Sequence, residues 1–164
     1  MKKVFLTLAV VFMAMAANAQ VWMGGSTSAV INDNHTNFTI APEVGYSFTG
    51  TPWTVACAVD FGYNKYDKMD GMTNLILSPY VRYSICNIEK FAMFLDLTGD
   101  FGVSGVEGYR VGLQPGIAWM ATEHWTAAFR FAFLGYNHSD FYGEQGFRMS
   151  FATAAPGFGL YYNF

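Results

Sequence analysis

The chain has 164 residues, of which 13% are charged, 52% are hydrophobic and 18% are aromatic, and its formal net charge is −3. Soluble domains carry about 25% charged residues, and the lack of a basic cluster argues against a nucleic-acid partner. No run of about 20 apolar residues follows the N-terminal segment, so the sequence predicts no membrane helix in the mature chain. Its apolar surface must therefore be hidden in a core or in lipid.

The N-terminal segment has the pattern of a secretory signal peptide. Lys2 and Lys3 give a positive start, an apolar run extends from 5 to 17, and Ala17 and Ala19 form a small-x-small cleavage site. An uncleaved membrane anchor is the alternative, but the run is shorter than a spanning helix. The sequence therefore predicts a signal peptide over residues 1–19 and one mature domain over residues 20–164.

A short pattern that begins with proline recurs four times along the mature chain. Its copies are Pro42–Tyr46, Pro79–Tyr83, Pro115–Trp119 and Pro156–Leu160, with prolines 37, 36 and 41 residues apart. The first, third and fifth residues of each copy are apolar, and a period of two indicates a strand with one apolar face. Each repeat has room for two strands and two turns, so four repeats predict eight strands.

The same alternation extends over windows of 11 residues, the length of a tilted strand that crosses a bilayer. The facing of the first strand stays open, and a change of phase near Ser150 predicts a bulge or bend. The predicted strands are Val21–Val30, Phe38–Phe48, Trp53–Tyr63, Thr73–Tyr83, Phe91–Phe101, Tyr109–Trp119, Trp125–Gly135 and Ala154–Phe164.

Turns of two kinds alternate between these strands. Short turns are predicted at 49–52, 84–90 and 120–124, and polar or glycine-rich loops at 31–37, 64–72, 102–108 and 136–146. Aromatic residues gather beside the short turns: Tyr46, Phe48, Trp53, Tyr83, Phe91, Trp119, Trp125, Tyr162 and Phe164. This arrangement predicts an all-β fold, a transmembrane antiparallel up-and-down β-barrel of eight strands with its short turns in the periplasm.

A soluble barrel with an aromatic core is the alternative fold, and a secreted carrier of lipocalin shape would belong to it. Its outer face would carry many charges. The second face of each predicted strand is instead made of small residues with few charges, which suits a narrow lumen. The transmembrane interpretation is therefore favoured.

The chain resembles the small eight-stranded outer-membrane barrels of the OmpA and OmpX type, especially the short versions encoded by Bacteroidetes. The resemblance covers the whole mature chain, and its most specific element is the last strand, with Phe158, Leu160, Tyr162 and a terminal Phe164. In such barrels this strand resembles the signal read by the barrel-assembly machinery. The resemblance implies architecture rather than activity, because this fold serves adhesins and structural anchors alike.

Seven ionisable residues fall on the small face of the predicted strands. Inside a barrel they must pair, because an unpaired buried charge is very costly. A gated or proton-linked pore is one interpretation; a static plug of salt bridges is favoured, because eight strands leave an interior that side chains can fill. The residues of this predicted lumen network are Glu43, Asp60, Asp96, Asp100, Arg82, Arg110 and Arg130.

Catalytic and metal-binding signals are weak. His138, Ser139 and Asp140 are adjacent in a predicted outer loop, and adjacent side chains diverge too much for a triad. Asp67 and Asp70 are interpreted as a solvated loop pair, and His35 and His124 as loop and turn residues. Cys57 is expected on the apolar face and Cys86 in a turn, too far apart for a disulfide. No catalytic, cofactor or metal residue is predicted.

The expected function is that of a non-enzymatic outer-membrane barrel of a Gram-negative bacterium with a closed lumen. Its role would be structural, or it would contact an unknown extracellular ligand through the loops. A small enzyme that modifies lipid A is the alternative, and a narrow channel is less favoured. The expected partners are outer-membrane lipid, lipopolysaccharide and the barrel-assembly machinery.

Overall fold

The computed structural model describes residues 20–32, 35–66, 72–138, 145–151 and 157–164. The predicted signal peptide lies outside these ranges. Within them the chain forms ten β-segments: β1 Gln20–Asn32, β2 His35–Ser47, β3 Trp53–Tyr66, β4 Met72–Ile88, β5 Phe91–Ser104, β6 Tyr109–Met120, β7 Trp125–Arg130, β8 Ala132–His138, β9 Gly146–Phe151 and β10 Gly157–Asn163. In these ranges no helix is long and apolar enough to cross a membrane.

The segments close into an antiparallel barrel of eight strands. Consecutive strands pair from β1 to β6, and β6 then pairs with both β7 and β8. β7 and β8 together thus form the seventh strand of the wall. The eighth strand likewise consists of two segments, with β9 paired to β8 and β10 paired to β7. Pairing of β10 with β1 completes the cylinder. Closure leaves no free edge where these pairs meet, and the predicted eight-stranded antiparallel barrel is confirmed.

A one-residue bulge separates β7 from β8. Gly116 pairs with Arg130, while Leu113 pairs with Leu134, so three residues of one strand face two of the other. The side chains consequently change parity, since Phe129 points outward in β7 whereas Phe133 is buried in β8. The expectation of one unbroken alternation over Trp125–Gly135 is therefore wrong, because a bulge shifts every later side chain to the other face.

The phase change expected near Ser150 is also visible. Phe147 and Met149 are exposed in β9, whereas Phe158 and Leu160 are exposed in β10, so the outward parity changes from odd to even numbers. The intervening residues, 152–156, lie outside the described ranges. The facing of the first strand is now defined as well, because Trp22 is buried in the interior.

Several strands are longer than the sequence predicts. β4 continues to Ile88 and ends in a two-residue turn at Glu89 and Lys90. Cys86 therefore lies within a strand, which corrects its assignment to a turn; the bulge at Ile85 lets the strand continue past Ser84. Both cysteines are free thiols. The backbone of His35 likewise belongs to β2 rather than to a loop, because His35 pairs with Asn32 across the hairpin.

Candidate functional site

Four charged side chains from four strands meet in the middle of the barrel. We call this group, Glu43, Arg82, Asp96 and Arg130, the central cluster. Arg82 holds Asp96 with a fork, Nε to Oδ1 at 2.7 Å and Nη2 to Oδ2 at 2.8 Å. Arg130 bridges the two acids, with Nε 3.0 Å from Asp96 and Nη2 3.3 Å from Glu43. Two acids and two arginines balance, so the cluster has no net charge.

All four side chains of the central cluster are largely shielded from water. The side chains of Glu43 and Asp96 are 1% exposed, and those of Arg82 and Arg130 are 12% and 14% exposed. An isolated charge so far from water would be strongly destabilising. A delocalised guanidinium that pairs with both oxygens of a carboxylate is the cation best suited to such a site.

Hydroxyl groups supply the remaining hydrogen bonds of Glu43. Ser26 Oγ donates to Oε1 at 2.7 Å, while Tyr80 and Tyr161 donate their phenolic protons to Oε2 at 2.9 and 3.2 Å. The central cluster and these donors come from β1, β2, β4, β5, β7 and β10. Side chains from most of the wall therefore cross the lumen at one level.

Aromatic rings pack around the charges and lie over glycines of the neighbouring strand. Phe94 is 2% exposed and stacks under Arg82, whose guanidinium carbon is 3.7 Å from the ring centroid. Phe94 is paired with Gly116, and a Cβ at Gly116 would collide with this ring. Trp22 stands in the same relation to Gly45. Glycines at these positions make room for large side chains inside a narrow barrel.

A second polar layer lies closer to the loop end. Arg110 forms an ion pair with Asp100 across β5 and β6, and Thr98 donates a hydrogen bond to the same carboxylate at 3.1 Å. Asp60 is the member of the predicted network that joins no arginine: its carboxylate accepts a hydrogen bond from Ser78, and the described arginines are beyond ion-pair distance. The structure thus brings six of the seven predicted network residues into ion pairs.

The outer wall of the barrel is apolar, whereas the lumen contains the charged side chains. Among the side chains that the structure describes, no outward-facing strand position carries Asp, Glu, Lys or Arg. Aliphatic side chains such as Val44, Leu97 and Leu160 are about half exposed there. Soluble monomers rarely expose a contiguous apolar surface of this extent.

Aromatic side chains border this apolar wall at both ends. Beside the short turns, Trp53 packs edge-to-face on Tyr83 with centroids 4.8 Å apart, and Trp125 does so on Tyr162 at 5.3 Å. A second ring near the loops, which the sequence did not predict, has the exposed residues Phe38, Tyr63, Phe101, Tyr109, Tyr136 and Phe147. Ten residue steps separate Trp53 from Tyr63 on β3, which is about 33 Å along a strand and about 25 Å of height at the tilt of such barrels.

Three of the four residues of the predicted C-terminal assembly signal are exposed on the outer wall. Phe158, Leu160 and Phe164 are exposed, and Tyr162 stacks on His124 and packs against Phe164. The amide of Phe164 donates to the carbonyl of Val21 at 3.1 Å and so joins the last residue to the first strand.

The described residues contain no group of three His, Cys, Asp or Glu side chains that could hold a metal ion. His138 stacks on Tyr109 with centroids 5.1 Å apart and lies 2.6 Å from the amide of Gln145. Ser139, Asp140, Asp67 and Asp70 lie outside the described ranges.

Sequence reasoning missed two partners of Glu43. Tyr161 was overlooked beside its outward-facing neighbours Leu160 and Tyr162, although its odd number places it on the inner face. Ser26 is not identified by the sequence, because the alternation does not define the facing of the first strand. The two-residue period of β10 was the signal that identifies Tyr161.

A scan against protein-family models finds none that matches this chain, and a search of curated proteins finds no match either. The function is therefore inferred from the barrel itself, its outer wall and its lumen.

Proposed function

We propose that this chain is an integral outer-membrane barrel of a Gram-negative bacterium, similar in type to the small OmpA and OmpX barrels. The observation that carries the proposal is the apolar wall, which has an aromatic ring at each end and no charged residue among the outward-facing side chains that the structure describes. Lipid tails accept such a wall, whereas water does not, and its height of about 25 Å matches the apolar band of outer-membrane barrels.

The protein is inserted by the barrel-assembly machinery and is surrounded by phospholipid and lipopolysaccharide. Its short turns, at Glu89–Lys90 for example, lie in the periplasm, and its loops face outward. The function is structural, or is contact with an extracellular ligand through the loops, and it involves no catalysis. The central cluster supports a closed lumen, because charged side chains and rings occupy the same level of the barrel.

The location is tested by fractionation and by gel mobility. The protein should stay with the outer membrane after alkaline carbonate extraction, and unboiled samples should migrate differently from boiled ones. Recovery in the soluble periplasmic fraction, with no change of mobility on boiling, would contradict the proposal.

The orientation is tested with epitope tags on intact cells. A tag inserted within residues 67–71 should bind antibody from outside, whereas a tag between Glu89 and Lys90 should bind only after the outer membrane is permeabilised. The reverse pattern would exclude this orientation.

Two measurements separate this proposal from its alternatives. Purified protein in mixed micelles should leave the mass spectrum of lipid A unchanged; loss or gain of an acyl chain that depends on His138 would favour the lipid A-modifying enzyme. In planar bilayers the unmodified barrel should show no large, steady conductance, and a stable open level would favour the narrow channel.

A further inference from the structure

A buried oxygen that accepts no hydrogen bond lies on the loop side of the central cluster. It is Oδ1 of Asn74, a residue that is 9% exposed, and no donor among the described residues reaches it. Buried polar atoms of native proteins normally have a partner, so an exception points to a bound ion or water.

Strand register brings this oxygen over the strand that carries Asp60. Asn74 pairs with Gly62, and its Oδ1 lies in the place that a Cβ of Gly62 would take. Gly62 and Asp60 share the lumen face of β3, since two residue steps return a side chain to the same face. The two positions are about 7 Å apart along the strand. The Asn74 oxygen is therefore one lumen position nearer the loops than Asp60.

The carboxylate of Asp60 is a second acceptor with few donors. It accepts a hydrogen bond from Ser78 Oγ, and it forms no ion pair with an arginine that the structure describes. Ser78 uses its one proton in that hydrogen bond, so its oxygen still has lone pairs. A carboxylate, a hydroxyl oxygen and an amide oxygen are thus all available as electron-pair donors.

The charges around Asp60 leave one negative charge in this layer. Asp100, Glu43 and Arg110 are the charged residues that act on it. Glu43 belongs to the neutral central cluster, and Arg110 forms an ion pair with Asp100, so the charge of Asp60 remains. Arg148 lies at the exposed rim on β9, three places away around the barrel. One positive charge would balance the layer, whereas two would leave an uncompensated charge inside the barrel.

Small residues surround Asp60 and leave an ion room to approach. Ala58 and Gly62 are its neighbours on the lumen face of β3, and the register of β2 and β3 places Ala41 opposite it. Asp60 is partly exposed, and only three residue steps, about 10 Å of strand, separate it from Tyr63 of the loop-end aromatic ring. An ion from the water outside can therefore reach it.

From these observations we infer that Asp60, Ser78 and Asn74 bind a monovalent metal cation. Hard cations take oxygen ligands at about 2.3–2.6 Å, so such an ion bridges oxygens about 5 Å apart, which suits the interval between Asp60 and the Asn74 amide. Water completes the coordination, because Asp60 is partly exposed. The site goes beyond the proposed structural role, since it requires only a folded barrel and no membrane location.

Binding is measured with sodium as the probe, by ²³Na NMR line broadening on the full barrel folded in a neutral detergent. N-methylglucamine keeps the ionic strength constant. The test variants are Asp60→Asn, which removes the charge, and Asn74→Leu, which removes the amide oxygen at similar size. Glu123→Gln is the matched control, because it removes the same charge from an exposed turn at the opposite end. Gel mobility before and after boiling confirms that each variant is folded.

The wild type should bind sodium saturably, and Asp60→Asn should weaken binding roughly tenfold or more, since the only charged ligand is lost. Asn74→Leu should weaken it roughly threefold or more, and Glu123→Gln should leave it unchanged. Non-saturable broadening by the wild type would assign only water to the Asn74 oxygen and overturn the inference. Unchanged binding in Asn74→Leu, or equal losses in Glu123→Gln and Asp60→Asn, would also overturn it.

Calcium as a competitor tests the charge of the ion. A site with one carboxylate and one net negative charge should release sodium only when calcium is present at a similar or higher concentration, because calcium prefers six to eight oxygen ligands with several carboxylates. Displacement of sodium by calcium at a concentration roughly a hundredfold lower would make the site divalent and refute the inferred monovalent cation.

Discussion

Replacement of Arg130 tests whether the charges in the lumen act as one unit. Arg130→Ala removes the cation that joins Glu43 to Asp96. Asp96 keeps its fork with Arg82, but Glu43 keeps only hydroxyl donors, among them Tyr80 at 2.9 Å. A carboxylate that is 1% exposed is then left without a cation.

The expected cost follows from that geometry. Breaking a buried ion pair by removal of one partner destabilises a protein by about 3–5 kcal/mol. The lower half of this range is expected here, because the contacts to Glu43 are 3.3 and 3.4 Å long and its hydroxyl donors remain. Neutralising the acid should restore part of the loss, so Glu43→Gln with Arg130→Ala should be about 1–3 kcal/mol more stable than additivity predicts.

The assay is reversible urea unfolding of the barrel in lipid vesicles, followed by tryptophan fluorescence. The four proteins of the double-mutant cycle are compared at the same lipid ratio. Asp60→Asn with Arg130→Ala is the control, since Asp60 bonds to Ser78 and not to Arg130. This pair should be additive within about 0.5 kcal/mol. Equal coupling energies for Glu43 and Asp60, or none for Glu43, would refute the reasoning.

Three further predictions concern the wall, the ring packing and one turn, all measured in the same unfolding assay. Leu95→Arg should cost about 2–4 kcal/mol and Trp53→Arg about 0–1 kcal/mol, because only the first lies at the midplane of the proposed bilayer; equal costs would contradict the assigned depth. Gly116→Ala should cost about 1–3 kcal/mol by forcing a methyl group into the ring over it, whereas Gly157→Ala, with a Cβ in ordinary contact, should cost under about 1 kcal/mol; similar losses would argue against the ring–glycine pairing. Glu89 has a φ of 48° in the turn after β4. Glu89→Gly should raise the free energy of unfolding by up to about 1 kcal/mol, because glycine adopts that conformation without strain. A lower free energy of unfolding would show that the Glu89 side chain stabilises the turn by more than the strain costs.

Much of the fold could be predicted because strands have a strict two-residue period. The window Trp53–Tyr63 lies within β3, and the predicted faces of Glu43, Asp96 and Arg82 are those observed in the lumen. Strand ends were predicted less well. β4 continues through a bulge at Ile85 as far as Ile88. The bulge between Arg130 and Ala132 is not marked by any glycine or proline in the sequence.

The lumen site, too, could be predicted only in part from the sequence. Alternation along each strand is enough to predict that the charged residues share the face opposite the apolar wall, because it assigns each side chain to one of two sides. Which of these charges meet depends on the three-dimensional fold. Arg130 reaches Glu43, 87 positions away in the chain, because barrel closure and the registers of several strand pairs set their heights together. Asp60 shares that face but pairs with no described arginine, since its height, which no local pattern encodes, places it beside Ser78 instead.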